Sequence, residues 1–264
     1  MDDFSNKVAI VAGGSLGIGQ AAARRLAVGG ASVVLCGRRP DAVEATVGEL
    51  RDAGLEVAGM SADVASAADV RALIGLAVEH YGGVDILVNS AGVQRYGTVV
   101  ETDEATWDEV MNINLKGMYL TSREAIPEMR KRGGGVIVNV SSVQGFATQK
   151  GVAAYSTSKA AINGLTRAMA VDHAAENIRV VAVCPASVET PMLRGSADLF
   201  RGESTQRQML DTWGKMHPIG RVGRPEEVAE LIAFLAGPQA SFITGGEYKI
   251  DGGMMAALGV LLPE

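Results

Sequence analysis

Lys7-Val-Ala-Ile-Val-Ala-Gly-Gly-Ser-Leu-Gly-Ile-Gly-Gln20 is the stretch that decides the fold. Its first half, Lys7 to Ala12, is a near-continuous apolar run of the kind found in a strand covered on both faces, and Ile18 to Val28 carries a helical period. Between them, Gly13-Gly14-Ser15-Leu16-Gly17-Ile18-Gly19 permits a tight turn and lets backbone N–H groups approach a pyrophosphate at the helix N-terminus. The glycine spacing is G-x-x-x-G-x-G, wider than G-x-G-x-x-G. A turn that holds no ligand is the alternative for such a loop taken alone.

Outward from this unit the rhythm repeats, through Ser32 to Cys36 and Asp41 to Ala53. Further strands are expected at Leu55 to Met60, Val84 to Asn89, Val136 to Val140, Ile178 to Cys184 and Glu247 to Ile250. Seven parallel strands with right-handed crossovers make an α/β, Rossmann-type, doubly wound sheet in a single domain over residues 1–264, with its crevice at the strands' carboxyl ends. Ala186 to Val222 shows no clear strand, mixes Pro191, Gly195, Gly202, Gly214 and Pro218 with amphipathic pieces such as Gln206 to Trp213, and is expected to form a substrate lid at about 190–222.

The bulk chemistry narrows the partners. Hydrophobic residues make up 47% of the 264, and the formal charge of −6 argues against nucleic acid or an anionic membrane. The start Met-Asp-Asp-Phe-Ser has no apolar export signal and Met254 to Leu262 is too short to span a bilayer, so a cytoplasmic protein is expected. Cys36 and Cys184 end separate apolar runs and read as buried thiols rather than a disulfide. His80, His173 and His217 show no metal-ligand spacing, and no metal is expected.

Tyr155-Ser-Thr-Ser-Lys159 places a phenol and an ammonium one helical turn apart on one face. The ammonium is expected to lower the phenol pKa and make Tyr155 a usable proton donor or acceptor. Ser142 closes the apolar run that starts at Val136. Read alone, Ser142 is a strand-end hydroxyl and Tyr155 a half-buried core aromatic.

Taken together, the glycine loop, Asn89-Ser-Ala-Gly92, Ser142, Tyr155-x-x-x-Lys159 and Pro185 to Thr190 resemble the short-chain dehydrogenase/reductase family over essentially the whole chain, from Lys7 to Asp251-Gly-Gly253. The resemblance implies an NAD(P)-dependent oxidoreductase that interconverts a secondary alcohol and a ketone, with a catalytic set of Asn114, Ser142, Tyr155 and Lys159. In it, Tyr155 exchanges the proton, Ser142 stabilises the substrate oxygen, Lys159 also holds the nicotinamide ribose, and Asn114 distorts its helix so that a backbone carbonyl can hold a water. It further implies cofactor contacts from Gly13, Ser15, Leu16, Gly17, Ile18 and Gly19. Asp63 and Val64 would lie beside the adenine, Asn89, Ala91 and Gly92 under the cofactor, and Pro185, Val188 and Thr190 at the nicotinamide. A helix cap fits Asp63 as well. Ala12, Ser90 and Ala186 stand where the family commonly has Thr, Asn and Gly; the first two could be a paired packing change.

Gly37 takes the position where NAD-preferring relatives commonly place Asp, and Arg38 and Arg39 follow it. An Arg there can pair with a 2′-phosphate, so NADP is the favoured cofactor and NAD the alternative, in which these arginines are a solvated lead-in to the helix or stack on adenine. Substrate contacts are expected from Val93 to Tyr96, Val143 to Lys150 and the lid, where His217 could reach substrate. Arg130-Lys-Arg132 permits docking of an acidic carrier, a 3-oxoacyl reductase being one alternative and a non-catalytic dinucleotide sensor the other. Family resemblance implies a homotetramer, for which Ala160 to Val171 and Met254 to Leu262 offer apolar surface.

Overall fold

In the computed structural model, residues 4–257 are described. Seven strands, β1 (Val8–Ala12), β2 (Ser32–Gly37), β3 (Val57–Ser61), β4 (Ile86–Asn89), β5 (Gly135–Val140), β6 (Ile178–Pro185) and β7 (Glu247–Ile250), form one sheet in the order β3-β2-β1-β4-β5-β6-β7. Every neighbouring pair is parallel. The order reverses between β1 and β4, which opens a crevice beyond their carboxyl ends. The expected strands are all present, with ends displaced by one or two residues where loop backbone extends or shortens the ladder.

Alternation along each strand divides the core in two. Ala9, Val11, Val33, Leu35, Val138 and Val183 face α1 (Gly17–Val28), α2 (Pro40–Asp52) and α9 (Pro225–Ala236). Val8, Ile10, Val34, Leu87, Ile137 and Val180 face α3 (Ala67–Tyr81), α5 (Gly117–Lys131) and α6 (Ala153–His173). At about 25 cal/mol per Å² of buried apolar surface, these two layers are the main favourable term of the fold.

A polar ladder crosses the second layer. The Thr121 hydroxyl donates to Asn89 Oδ1 (2.7 Å), Asn89 Nδ2 donates to Asn139 Oδ1 (2.9 Å), and Asn139 Nδ2 donates to Thr166 Oγ1 (2.9 Å). Asn89 and Asn139 are register partners on β4 and β5, so their amides meet directly. Ala12, without a hydroxyl, sits buried beside this ladder, while the Ser90 N–H donates to the Ala12 carbonyl. The two departures from the family pattern at 12 and 90 therefore fall at adjacent strand ends.

Ala186 to Val222 holds two helices, α7 (Pro191–Phe200) and α8 (Gln206–Gly214). Thr190 caps α7 by accepting from the Leu193 N–H, and Thr205 with Gln208 makes a capping box on α8.

Candidate active site

The glycine loop is dictated by close approach. Gly13 has φ +79°, and a Cβ there would lie 2.5 Å from the Ala91 nitrogen; one on Gly19 would lie 2.1 Å from the Gly13 carbonyl oxygen. Only bare backbone lets β1, β4 and α1 converge at the point where strand order reverses. The Gly13–Ile18 turn then opens into a cavity of about 900 Å³ that runs along the carboxyl ends of the strands.

The cavity gathers most of the expected contacts: Gly13, Ser15, Leu16, Gly17 and Ile18 from the loop, Arg38 and Arg39 after β2, and Asp63 and Val64 after β3. Further along come Ala91 and Gly92, then Ser142, Tyr155 and Lys159, then Pro185, Val188 and Thr190. Three expected residues do not line it. Gly19 lies beneath the loop as a packing contact. Asn89 is 1% exposed, its amide consumed by the ladder, because its side chain points to the α5 face rather than out of the strand end. Asn114 is fully buried behind Gly92.

Asn114 works through backbone. The Val93 N–H donates to its Oδ1 (2.8 Å), while its Nδ2 donates to the Val93 carbonyl (2.9 Å) and to Ser158 Oγ (3.0 Å). It lies within a π-helical turn, Asn112–Lys116, between α4 (Glu104–Met111) and α5. Such turns leave a carbonyl out of the regular ladder. The helix distortion that the resemblance implied is thus present at this residue.

Lys159 and Tyr155 are both buried, and their electrostatics depart from expectation. Burial pushes the Tyr155 phenol up to about 12, against a lowering hydrogen bond from Ser142. Burial likewise brings the Lys159 ammonium down to about 8. The expected lowering of the phenol by Lys159 is not realised. Lys159 Nζ donates to the Val140 carbonyl (2.9 Å) and sits 5.5 Å from the centroid of the Tyr155 ring, over its face rather than at its hydroxyl. Desolvation therefore wins for both groups. Ser142 Oγ accepts from the Gln144 N–H (3.1 Å), which orients the hydroxyl at the end of β5.

Asp63 both lines the cavity and accepts from the Ala65 N–H (2.9 Å), while Ser66 caps α3. His217 is 3% exposed and does not line the cavity. Its Nε2 accepts from the Ser187 N–H (3.4 Å) with Nδ1 3.0 Å from the Trp213 carbonyl, so it ties α8 to the loop after β6 rather than reaching substrate. Arg130 pairs with Glu176, Lys131 with Glu128 and Arg132 with Asp85. Those three cations are engaged by the protein's own acids.

Sequence reasoning missed Met254 and Met255, which also line the cavity. The signal lay in topology rather than in any local pattern: β7 is parallel, so whatever follows it emerges at the same edge as the glycine loop, and the Asp251 carboxylate turns the chain there by accepting from the Gly253 and Met255 N–H groups. Residues 258–262 of the apolar tail lie outside the described residues. Among the described residues no cluster has metal-binding character, and no helix is long and apolar enough to cross a membrane.

The family profile described as Enoyl-(Acyl carrier protein) reductase matches residues 12–255. The chain is 41% identical over 254 residues to cis-4-hydroxycyclohexanecarboxylate dehydrogenase of Sinomonas cyclohexanicum, covering 96% of this chain and 98% of that one. It is 38% identical over 258 residues to dehydrogenase/reductase SDR family member 4 of Homo sapiens, covering 97% and 90%. The ligand-free aldohexose dehydrogenase of Thermoplasma acidophilum superposes with a TM-score of 0.91 at 37% identity, covering 99% and 98%. An actinorhodin polyketide ketoreductase with NADPH superposes at 0.90 and 37%, covering 94% and 97%. With the glycine loop, the Tyr-Lys pair and the sheet order all on one cavity, the chain belongs to the short-chain dehydrogenase/reductase family, NAD(P)-dependent oxidoreductases that interconvert alcohols and carbonyls.

Proposed function

We propose that Tyr155 is the proton donor and acceptor of this reaction, with Ser142 and Lys159 as its partners, and that NADP is the preferred cofactor. The observation that carries the assignment is the continuity of one cavity, from Arg38 and the glycine loop to the buried Tyr155–Ser142–Lys159 group. The residues present fit a dinucleotide: bare backbone at Gly13 where any Cβ would collide, and a cationic pair at the outer end. The bound nicotinamide supplies hydride in carbonyl reduction and accepts it in alcohol oxidation.

The residues' own work follows from their state. With its phenol held neutral by burial, Tyr155 is poised to donate a proton to a carbonyl oxygen. Ser142, which accepts from the Gln144 N–H and donates over 3.4 Å to the Pro185 carbonyl, would turn that proton to the same oxygen and stabilise its developing charge. Lys159 would hold a ribose of the dinucleotide and, with Asn114's π-helical turn close by, would return a proton to Tyr155 after reduction and remove one in oxidation. The α7–α8 segment, about residues 190–222, acts as a lid, with Phe200 stacked edge-on against Tyr96 (4.7 Å).

Arg38 and Arg39 are exposed, and among the described residues neither has an ion-pair partner, which favours a 2′-phosphate as theirs. Gly37 supports this, since the position carries no carboxylate to repel a 2′-phosphate. A cytoplasmic homotetramer completes the proposal, supported by exposed Val171 on α6 and Phe242 before β7. Tyr155→Phe keeps the ring and removes the proton, so kcat should fall at least ~10²-fold with dinucleotide affinity kept. Near-normal turnover would overturn the assignment.

A further inference from the structure

Beyond Tyr155 the cavity is walled by Met192, Phe200, Met209 and Trp213 from the lid segment and by Met254 and Met255 after β7. Thioethers are polarisable and adapt to irregular apolar shapes, and five of them, Met216 included, converge here with the rings of Phe200 and Trp213. Several polar side chains at this end are spent on one another, while Gln94 and Ser187 also line it. Tyr96 Oη donates to Ser196 Oγ (2.7 Å), and Gln144 Nε2 donates to Gln149 Oε1 (3.3 Å). Ser156 Oγ donates to Gln144 Oε1 (3.2 Å) and lies 2.6 Å from Thr148 Oγ1. Among the described residues, the lining carboxylate, Asp63, lies at the opposite end, and the charged group here besides Lys159 is Lys150, exposed at the rim.

A substrate rich in hydroxyls would find few of the lining groups free to pair with it, and burying an unpaired hydroxyl is costly. An alicyclic or aromatic group meets no such penalty and gains contact with every wall. Resting on the assignment of Tyr155 above, we infer that the substrate is a ketone or secondary alcohol whose carbonyl carbon carries a large apolar ring system, and that sugars are discriminated against.

The test compares kcat/KM for 2-tetralone and 2-butanone in reduction, and for glucose against 2-tetralol in oxidation. Each methylene that reaches the apolar wall should raise kcat/KM roughly fourfold, so 2-tetralone should exceed 2-butanone by more than ~10-fold, and 2-tetralol should exceed glucose by more. Phe200→Ser, at a half-exposed ring outside the core, should lower the tetralone-to-butanone ratio severalfold. A second measurement needs no turnover: in Trp107→Phe, which leaves Trp213 as the single indole, the unreactive hydrocarbon tetralin should change Trp213 emission saturably. Preference for glucose over 2-tetralol, or no response to tetralin up to its solubility, would overturn the inference. Tetralin binding with no carbonyl turned over would instead refute the catalytic assignment while the apolar site stands.

Discussion

Arg38→Ala tests the cofactor assignment most directly. The 2′-phosphate of NADPH carries close to two negative charges, and NADH differs from it only there, so the ratio of their dissociation constants isolates one contact. A hydrogen bond to a charged group contributes about 1.5–3 kcal/mol, while a fully exposed ion pair contributes about 0–1 kcal/mol. Arg38 is exposed at the cavity's outer end, so the lower part of the first range applies. About 1.5 kcal/mol corresponds to a roughly 13-fold weaker NADPH complex, with NADH affinity changed less than about twofold. Titrations following reduced-nicotinamide fluorescence give both constants. The preference should shrink as salt rises from 0.1 M toward 1 M, because the Debye length falls from about 10 Å to about 3 Å. Wild type that binds NADH more tightly would refute the assignment. An Arg38→Ala variant that loses both cofactors equally would mean that Arg38 stacks on adenine instead.

Lys159→Met should flatten a pH dependence of stability. The folded-state pKa of Lys159 is brought down from 10.5 to about 8, so between those values the unfolded chain holds a proton that the native chain has released. Native stability from this group therefore rises with pH across that window, by on the order of 3 kcal/mol in total, and urea unfolding of wild type against the variant at pH 8 and pH 10 reads the difference. A difference that does not change with pH would show that Lys159 is not desolvated. Asn139→Ala breaks the ladder at its centre and leaves Asn89 Nδ2 and Thr166 without their partner. It should cost about 2–4 kcal/mol in urea unfolding; a cost under about 1 kcal/mol would mean that water replaces the amide freely.

Glycine spacing and apolar periodicity were enough to find seven strands along the chain and to place the glycine loop, because both depend on local backbone chemistry: bare glycine where strands and helix converge, and continuous Val and Ile where a strand is covered twice. The Tyr155–Lys159 pair was equally legible, since helical spacing alone puts the two on one face. Direction and burial were not. Asn89 reads as a strand-end cofactor contact, yet the pleat turns its amide inward to Asn139, a neighbour fifty residues away that only the sheet register supplies. The phenol reads as acidified by its lysine, yet depth in the protein and the Val140 carbonyl decide where that ammonium lies and which way both groups shift. Met254 and Met255 join a wall with Met192 and Phe200 because parallel strands deliver distant loops to one edge. Such juxtapositions arise from packing between elements, and no local pattern encodes them.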